Sequence, residues 1–377
     1  MNNSVIVSGD CAPEYLNLRS AFAENFSLRG DVGASLAVVV DGKLEVDLWG
    51  GVQDQLTGAA WRADTLVNVW STTKGLTAAC FAMLVSRGKL SYETAVAEHW
   101  PEFGQQGKQN VSVAMLLSHQ AGLCGFPDIT TLAQLYDATA AAGRLAAMAP
   151  LWTPGEAHGY HALTMGYLAN ELFRRVDGRS IRQFVADELQ VKYGLELYIG
   201  LPPAKAHRAA TIVAEMGLAS AQPEAELTRI QQATMANPIL SPTLPNTDDW
   251  RSAEIPSANG FATARALAIL YGCMAREGIL DGASIVQPSV LAQATSPQIS
   301  GVDLVLGVDS SWGCGFLCNS LGLYGPNPQA FGHSGWGGSF AFADPERKMA
   351  VAYTMNSMGA DLIGDPRNQA LINAIYE

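Results

Sequence analysis

The chain has 377 residues, of which 48% are apolar and only 15% are charged, and its formal net charge is −12. This length and composition predict a globular protein with more than one packed lobe and exclude a disordered or fibrous chain. The acidic balance argues against a nucleic-acid partner and against adhesion to an anionic membrane, because both require basic patches.

The beginning of the chain and its cysteines point to the cytoplasm. No basic segment followed by an apolar run opens the sequence, and no apolar run is long enough to span a bilayer, so we expect no membrane association. Cys314 and Cys318 are four residues apart in a strand-like stretch, too far apart for an easy disulfide. We expect buried free thiols at all six cysteines, which are Cys11, Cys80, Cys124, Cys273, Cys314 and Cys318.

The first predicted elements are a hairpin and a buried helix. Residues 34–50 predict the hairpin, because two β-rich runs flank the turn Asp41-Gly42. Residues 75–87 predict the helix, which Gly88 ends.

The middle of the chain changes to a helical pattern. Ala-rich segments with helical periodicity alternate there with loops rich in Pro and Gly. A long loop is predicted over residues 237–259. The predicted helices cover residues 112–118, 131–148, 162–176 and 180–190.

The C-terminal part returns to strands. The predicted elements are a helix over residues 262–276, strands over 311–318, 337–344 and 348–356, a turn over 344–347 and a final helix over 366–376. Strands at both ends predict an α/β (α+β) fold, in which residues 1–88 and 255–377 form one antiparallel sheet flanked by helices. Residues 89–254 would form an inserted, mostly helical domain, with the active site in the cleft between the two.

The motif Ser71-x-x-Lys74 lies where an apolar strand passes into the first buried helix. Residues three apart are neighbours on a helix, so this spacing predicts an amine beside a hydroxyl. Apolar neighbours would desolvate the lysine, disfavour its charged form and make it a base for the serine. Ser86-x-x-Lys89 repeats the pattern, but Gly88 indicates that this copy is a solvated helix end.

Tyr160 is the candidate for a second catalytic group. It follows a turn-rich segment and precedes a helix of the predicted helical domain, where it could face Ser71. We expect a neighbouring lysine ammonium to lower its phenol pKa from about 10. His158-x-x-His161 has no matching His or carboxylate cluster, so we expect no metal and no cofactor.

A glycine-rich segment, residues 331–339, precedes a predicted strand. Its glycines would let another backbone approach closely, as an edge strand lining a substrate cleft requires. From these residues alone, a Gly-rich turn with Trp336 as a core aromatic is equally well supported. A backbone N–H from this segment and that of Ser71 could form an oxyanion hole. The segment fails the nucleophile-elbow pattern, because the position that should be Gly is Trp336 and no His follows His333, so Ser334 is not the nucleophile.

The order of these motifs resembles that of the serine β-lactamase-like superfamily, which includes class C β-lactamases and DD-peptidases. The closer resemblance is to its family VIII carboxylesterases, and it spans nearly the whole chain. The stretches that carry it are residues 70–75, 116–123, 153–161 and 332–345. The resemblance implies a β-lactamase-like fold and an acyl-enzyme mechanism.

By this resemblance Ser71 is the nucleophile, Lys74 its base partner and Tyr160 the group that passes a proton to the leaving alcohol. The backbone N–H groups of Ser71 and Trp336 would form the oxyanion hole. The residues expected to contact substrate are His161, His333, Ser334, Gly335, Trp336 and Gly337.

Two departures from class C β-lactamases favour neutral esters over anionic β-lactams. The Asn of their Tyr-x-Asn motif is replaced by Ala162, and the lysine of their Lys-Thr-Gly motif is absent from residues 333–335 and from 336–338. The bulk of Trp336 predicts a preference for short acyl groups. We therefore expect a cytoplasmic carboxylesterase that hydrolyses a small-molecule ester.

Three alternatives remain open from the sequence. They are a class C-like β-lactamase or DD-peptidase, an acyltransferase that uses the same site, and a catalytically inactive binding protein on the same scaffold. The oligomeric state is not determined by the sequence, and a homodimer is one of the assemblies that it allows.

Overall fold

The structure, a computed structural model, describes residues 5–220 and 226–377. Its strands come mainly from the two ends of the chain, as expected from the sequence. Within the described residues they are β1 (Val7–Cys11), β2 (Gly33–Val40), β3 (Lys43–Asp54), β4 (Ala59–Ala60), β5 (Val67–Asn68), β6 (Leu197–Ile199), β7 (Gly260–Ala262), β8 (Ile279–Leu280), β9 (Ala283–Ser284), β10 (Ile299–Val302), β11 (Asp309–Trp312), β12 (Leu317–Cys318), β13 (Phe331–Ser334), β14 (Phe340–Asp344) and β15 (Met349–Met355).

The helices lie mainly between the two strand-rich parts. Within the described residues they are α1 (Leu16–Leu28), α2 (Thr73–Ser86), α3 (Val96–His99), α4 (Val113–Leu117), α5 (Leu132–Tyr136), α6 (Ala138–Ala147), α7 (Thr164–Asp177), α8 (Ile181–Val185), α9 (Val191–Tyr193), α10 (Arg229–Met235), α11 (Asp248–Ser252), α12 (Ala264–Ala275), α13 (Pro288–Thr295) and α14 (Pro366–Tyr376). A π-helical turn, Ala186–Gln190, joins α8 to α9.

The main sheet has the order β1-β3-β2-β15-β14-β13-β12-β11-β10, and its neighbouring strands are antiparallel. The predicted antiparallel sheet built from both ends of the chain is therefore confirmed. A smaller sheet, β5-β7-β6, joins a strand of the helical region to the strand that precedes Ser71. The domain boundaries at residues 88 and 255 stay a prediction.

Both faces of the sheet are covered, and β15 shows how. Ala350 faces α12, where a Cβ on Gly272 would lie 3.9 Å from the Ala350 Cβ. Tyr353 faces the opposite side, where its ring lies 6.5 Å from that of Phe22 on α1. Small side chains let α12 pack closely, and large ones fill the other face, as expected for a strand buried on both sides.

Several elements that the sequence predicts as continuous are interrupted in the structure. The helix predicted over 131–148 is broken because the Asp137 carboxylate accepts the N–H of Ala140 and caps a new helix. The strand predicted over 311–318 is a tight hairpin, β11 and β12, turned by Gly315 at φ +89°. The long loop predicted over 237–259 contains α11.

Of the two interpretations of the glycine-rich segment, the edge strand is wrong. Its strand, β13, lies inside the sheet between β12 and β14. However, β12 pairs only with Phe331 and Gly332, so the β12-facing side of His333 and Ser334 is not covered by that strand. The next strand starts at Phe340 rather than at residue 337, because Gly337 and Gly338 have φ of +90° and +121° and form a turn.

Candidate active site

Ser71 lies in the turn between β5 and α2, one residue before the helix cap. The turn is tight: Trp70 has φ +45°, and the N–H of Lys74 donates to the carbonyl of Ser71 at 2.9 Å. A positive φ at a bulky residue is strained and persists only where packing holds it. Here Trp70 is packed between Trp250 and Trp336, with ring centroids 5.0 and 4.9 Å away.

Lys74 is completely buried in this turn, with 0% of its surface exposed. Its Nζ lies 3.2 Å from Ser71 Oγ and donates to the carbonyls of Ala162 at 2.7 Å and Ser257 at 2.9 Å. Burial lowers the pKa of Lys74 well below the ordinary lysine value. In the neutral amine the two carbonyls take the two N–H groups, which leaves the lone pair to accept the Ser71 proton.

The second Ser-x-x-Lys copy has none of this surrounding structure. Ser86 ends α2 at the protein surface, and its hydroxyl accepts the N–H of Gln287. Lys89 is 44% exposed in its side chain and pairs with Asp177 at 2.6 Å. Gly88, at φ +68°, ends the helix as the sequence indicated.

Tyr160 lies beside the Ser71–Lys74 pair. Lys74 Nζ lies 4.6 Å from the centre of the Tyr160 ring, which stacks on Trp312 at 5.6 Å and meets His119 edge-on at 5.0 Å. The expected lowering of the Tyr160 pKa is wrong in direction. Burial raises the pKa, more than the hydrogen bond to Ser71 lowers it. The phenol is therefore protonated and can act as a proton donor.

Asp303 positions Tyr160 and was not found by sequence reasoning. It is 0% exposed, and its Oδ1 accepts the backbone N–H groups of Tyr160 at 3.0 Å, Val305 at 2.8 Å and Leu306 at 2.9 Å. One carboxylate thus holds the backbone of Tyr160 and of the cavity-lining residue Leu306 together. A single Asp in a loop 143 residues from Tyr160 gives no local signal of this role.

The turn after β13 fixes the direction of the Trp336 backbone N–H. Gly335 O accepts the N–H of Gly338 at 3.1 Å, and the positive φ of Gly337 completes the turn. Because C=O and N–H of one peptide point in opposite directions, the N–H of Trp336 points out of the turn. Among the described residues, neither this N–H nor that of Ser71 donates to a protein acceptor.

Close packing joins this turn to the nucleophile segment. The Ser339 hydroxyl donates to the carbonyl of Val69 at 2.8 Å and lies 3.1 Å from the Thr72 hydroxyl. A Cβ on Gly335 would lie 2.2 Å from Val69 O, so only glycine fits there. The position of the Trp336 N–H relative to the Ser71 N–H therefore depends on Gly335 and Ser339.

His333 and Ser334 line the same cavity as Ser71. His333 Nδ1 lies 2.8 Å from the carbonyl of Ser334 and donates to it, so Nε2 carries the lone pair. Nε2 is buried and has no partner among the described residues. Burial, and then the charge of Lys74, lowers the pKa of His333 to about 3, so the imidazole is neutral.

Three residues expected to contact substrate, His161, Gly335 and Gly337, lie outside the cavity lining. His161 is buried, its Nδ1 bonds to the carbonyl of Gly159 at 2.7 Å, and its Nε2 accepts the N–H of Leu123 at 3.0 Å. Gly337 donates its N–H to Asp361 and accepts with its carbonyl from Gly359. The polar groups of His161 and Gly337 are therefore bonded within the protein and do not face the cavity.

The cavity over Ser71 is narrow. Only about 10 Å³ is open to the centre of a water molecule, which is room for about one water. A larger groove, of about 740 Å³, lies elsewhere and carries none of the catalytic candidates. The narrow cavity is lined by Ser71, Tyr160, Leu306, Trp312, Leu317, His333, Ser334, Trp336, Leu362 and Ile363.

The fold agrees with the similarity of this chain to known proteins. The chain belongs to the Beta-lactamase family, whose model matches residues 22–374. It is 35% identical to the esterase/beta-lactamase LipL of Mycobacterium tuberculosis (strain ATCC 25618 / H37Rv) over 95% of this chain and 84% of that protein.

Two solved structures are also similar over almost the full length. A penicillin-binding protein homologue from Caulobacter crescentus is 46% identical, with a TM-score of 0.93 and coverage of 98% of this chain and 99% of that one. A family VIII carboxylesterase is 42% identical, with the same TM-score and coverage. The β-lactamase-like fold implied by the sequence is therefore confirmed.

Membrane-spanning helices and metal-ligand clusters are both absent from the part of the chain that the structure describes. Within residues 5–220 and 226–377, no helix is long and apolar enough to cross a membrane. Across the same part of the chain, no three His, Cys, Asp or Glu side chains cluster as a metal ion would need.

Proposed function

We propose that this protein is a serine carboxylesterase that hydrolyses small neutral esters with short acyl groups through an acyl-enzyme on Ser71. The contacts of Lys74 carry the proposal: a buried amine, held by two carbonyls, lies 3.2 Å from the Ser71 hydroxyl. The structural similarity to a family VIII carboxylesterase and the sequence similarity to LipL support the same reaction.

In acylation, Ser71 Oγ attacks the ester carbonyl while the neutral amine of Lys74 takes its proton. The negative charge on the carbonyl oxygen is stabilised by the N–H groups of Ser71 and Trp336. Tyr160 then donates its phenol proton to the leaving alkoxide and recovers a proton from the Lys74 ammonium. This transfer is downhill, because burial lowers the pKa of the lysine and raises that of the tyrosine.

In deacylation the same groups work in reverse. A water molecule gives a proton to the Tyr160 oxygen while Tyr160 passes its own phenol proton to the neutral amine of Lys74, and the water oxygen attacks the acyl carbonyl. The tetrahedral intermediate then collapses, the bond to Ser71 Oγ breaks, and the proton returns to the serine. The cavity, which has room for about one water, is suited to holding this water beside the acyl group.

The cavity lining favours neutral substrates. The described lining contains no Lys or Arg, and His333, which lines the cavity, is neutral. A carboxylate placed there would be desolvated without a cationic partner, which is unfavourable. Trp336, Leu306 and Trp312 close the space around the acyl group and favour short chains.

Hydrolysis of β-lactams is the second candidate function, as a minor activity. The similarity to LipL supports it, because the name of that protein includes both esterase and beta-lactamase. The absence of Lys and Arg from the described cavity lining argues against it. Acyl transfer to an alcohol would use the same acyl-enzyme, and product analysis distinguishes it from hydrolysis.

We also propose that the protein works in a reducing compartment such as the cytoplasm. All six cysteines are free thiols, and five of them are buried. Burial raises the pKa of Cys80, of Cys124 and of Cys273, so these thiols are protonated and unreactive.

The test is a panel of p-nitrophenyl esters from acetate to octanoate, with one chromogenic cephalosporin, run on wild type, Ser71→Ala and Ser86→Ala. We expect activity to be highest on the short esters and Ser71→Ala to lose about 10⁴- to 10⁶-fold in kcat. Ser86→Ala, the matched control from the second motif, should keep wild-type activity. Ester hydrolysis that survives in Ser71→Ala, or wild type that a fluorophosphonate fails to label, would refute the proposal.

A further inference from the structure

We infer that Arg367, in the first turn of the C-terminal helix α14, is a positioning residue for the oxyanion hole. Its guanidinium holds the carbonyl of Gly337, directly after the residue whose N–H would bind the oxyanion. The inference rests on the proposed function, because it assigns a role within the same reaction. Arg367 itself lines no part of the cavity over Ser71.

The Arg367 guanidinium is buried and fully bonded. It is 4% exposed, and each of its five N–H groups has an acceptor. Nε donates to Asp365 at 2.9 Å, and Nη1 donates to Asp31 at 2.9 Å and to the carbonyl of Ser357 at 2.7 Å. Nη2 donates to Asp365 at 2.6 Å and to the carbonyl of Gly337. This planar set of acceptors matches the fork of an arginine and not the single ammonium of a lysine.

These contacts control the peptides that follow Trp336. The carbonyl of Gly337 is held by Arg367 and by the N–H of Gly359 at 3.0 Å, and the N–H of Gly337 donates to Asp361 at 3.2 Å. Both peptide planes after Trp336 are therefore fixed by the segment leading into α14. With these planes fixed, the peptide that carries the N–H of Trp336 has little freedom to rotate.

The turn after β13 also packs closely against Arg367. Gly338 has φ +121°, and a Cβ there would lie 2.6 Å from Arg367 Nη2. A Cβ on Gly359 would lie 2.5 Å from Asp365 Oδ2 and 3.0 Å from Arg367 Nη2. The guanidinium thus lies directly against the backbone of the turn, and this contact requires glycine on both sides.

A purely structural role, in which the Arg367 cluster only attaches α14 to the sheet, makes a different prediction. That role would lower stability when it is lost but would not change the transition state selectively. A positioning role predicts a lower kcat at constant KM, because the oxyanion forms only as the reaction proceeds.

The test is Arg367→Lys, which keeps the charge but cannot reach all these acceptors. We expect kcat for p-nitrophenyl acetate to fall about 10- to 100-fold with KM within about twofold, less than the loss of a whole oxyanion donor. The inhibition constant of a trifluoromethyl ketone, which forms an oxyanion on Ser71, should rise by the same factor. Arg265→Lys, in the Arg265–Asp47 pair on the sheet, is the matched control and should keep wild-type kcat.

An unchanged kcat and inhibition constant in folded Arg367→Lys would overturn the inference, as would a fall in affinity for substrate alone. If Arg367→Lys does not fold, Gly359→Ala is the second variant, because its Cβ displaces the guanidinium without removing it. We expect Gly359→Ala to lower kcat in the same way. An unchanged kcat in Gly359→Ala also overturns the inference. Failure of the proposed function is separate, because it would appear as wild-type protein without esterase activity.

Discussion

The protonation state of Lys74 can be tested by removing its amine with Lys74→Met. The two side chains have similar length, so the main change is the loss of a base and of two hydrogen bonds to carbonyls. We expect kcat to fall about 10²- to 10⁴-fold, the usual contribution of a general base. In wild type, kcat/KM should rise with pH through the lowered pKa of Lys74.

The same variant makes a prediction about stability. In the unfolded chain Lys74 holds a proton up to about pH 10.4, whereas in the folded protein burial lowers its pKa. Between these two pKa values the unfolded state binds one more proton, so the stability of wild type rises with pH. The free energy of unfolding of wild type, relative to that of Lys74→Met, should rise by about 1.4 kcal/mol per pH unit, or about 2 kcal/mol from pH 8 to 9.5.

Urea unfolding of both proteins at several pH values measures this difference. The lost hydrogen bonds do not titrate and so cancel from the pH dependence. A stability difference that stays constant between pH 8 and 9.5 would mean that folded Lys74 is charged, and the amine could not be the base. Lys89→Met, at the exposed lysine of the second motif, is the control and should keep activity within about twofold.

Two further predictions concern substrate selection by the cavity. Trp336→Ala should shift the preference from acetate towards longer esters by about 10- to 100-fold in relative kcat/KM. The reason is that one methylene changes kcat/KM by about this factor in a closed apolar pocket. An unchanged chain-length profile on the p-nitrophenyl panel would contradict this prediction. His333→Lys should replace a neutral imidazole by a cation and raise kcat/KM for an anionic cephalosporin about tenfold or more relative to p-nitrophenyl acetate. An unchanged ratio of the two activities would show that the missing charge does not determine the preference.

Much of this protein could be predicted locally. The hairpin at Asp41-Gly42 and the helix end at Gly88 depend on residues close together in the chain, and both are confirmed. The Ser71–Lys74 contact is local too, because a tight turn places residues three apart side by side. The order of the motifs along the chain was enough to indicate the family.

Long-range contacts determined the chemistry of the site. The two carbonyls that hold the buried Lys74 amine lie 88 and 183 residues away in the chain. Burial lowers the pKa of Lys74 in the expected direction but raises that of Tyr160, for which the local expectation had the wrong sign. The sequence around Asp303 and Arg367 gives no indication of their roles. Asp303 accepts the backbone N–H of Tyr160, and Arg367 donates to the carbonyl of Gly337, and both partners are distant in the chain. A periodic pattern shows which face of an element is buried, but only the assembled fold shows which polar groups that burial brings together.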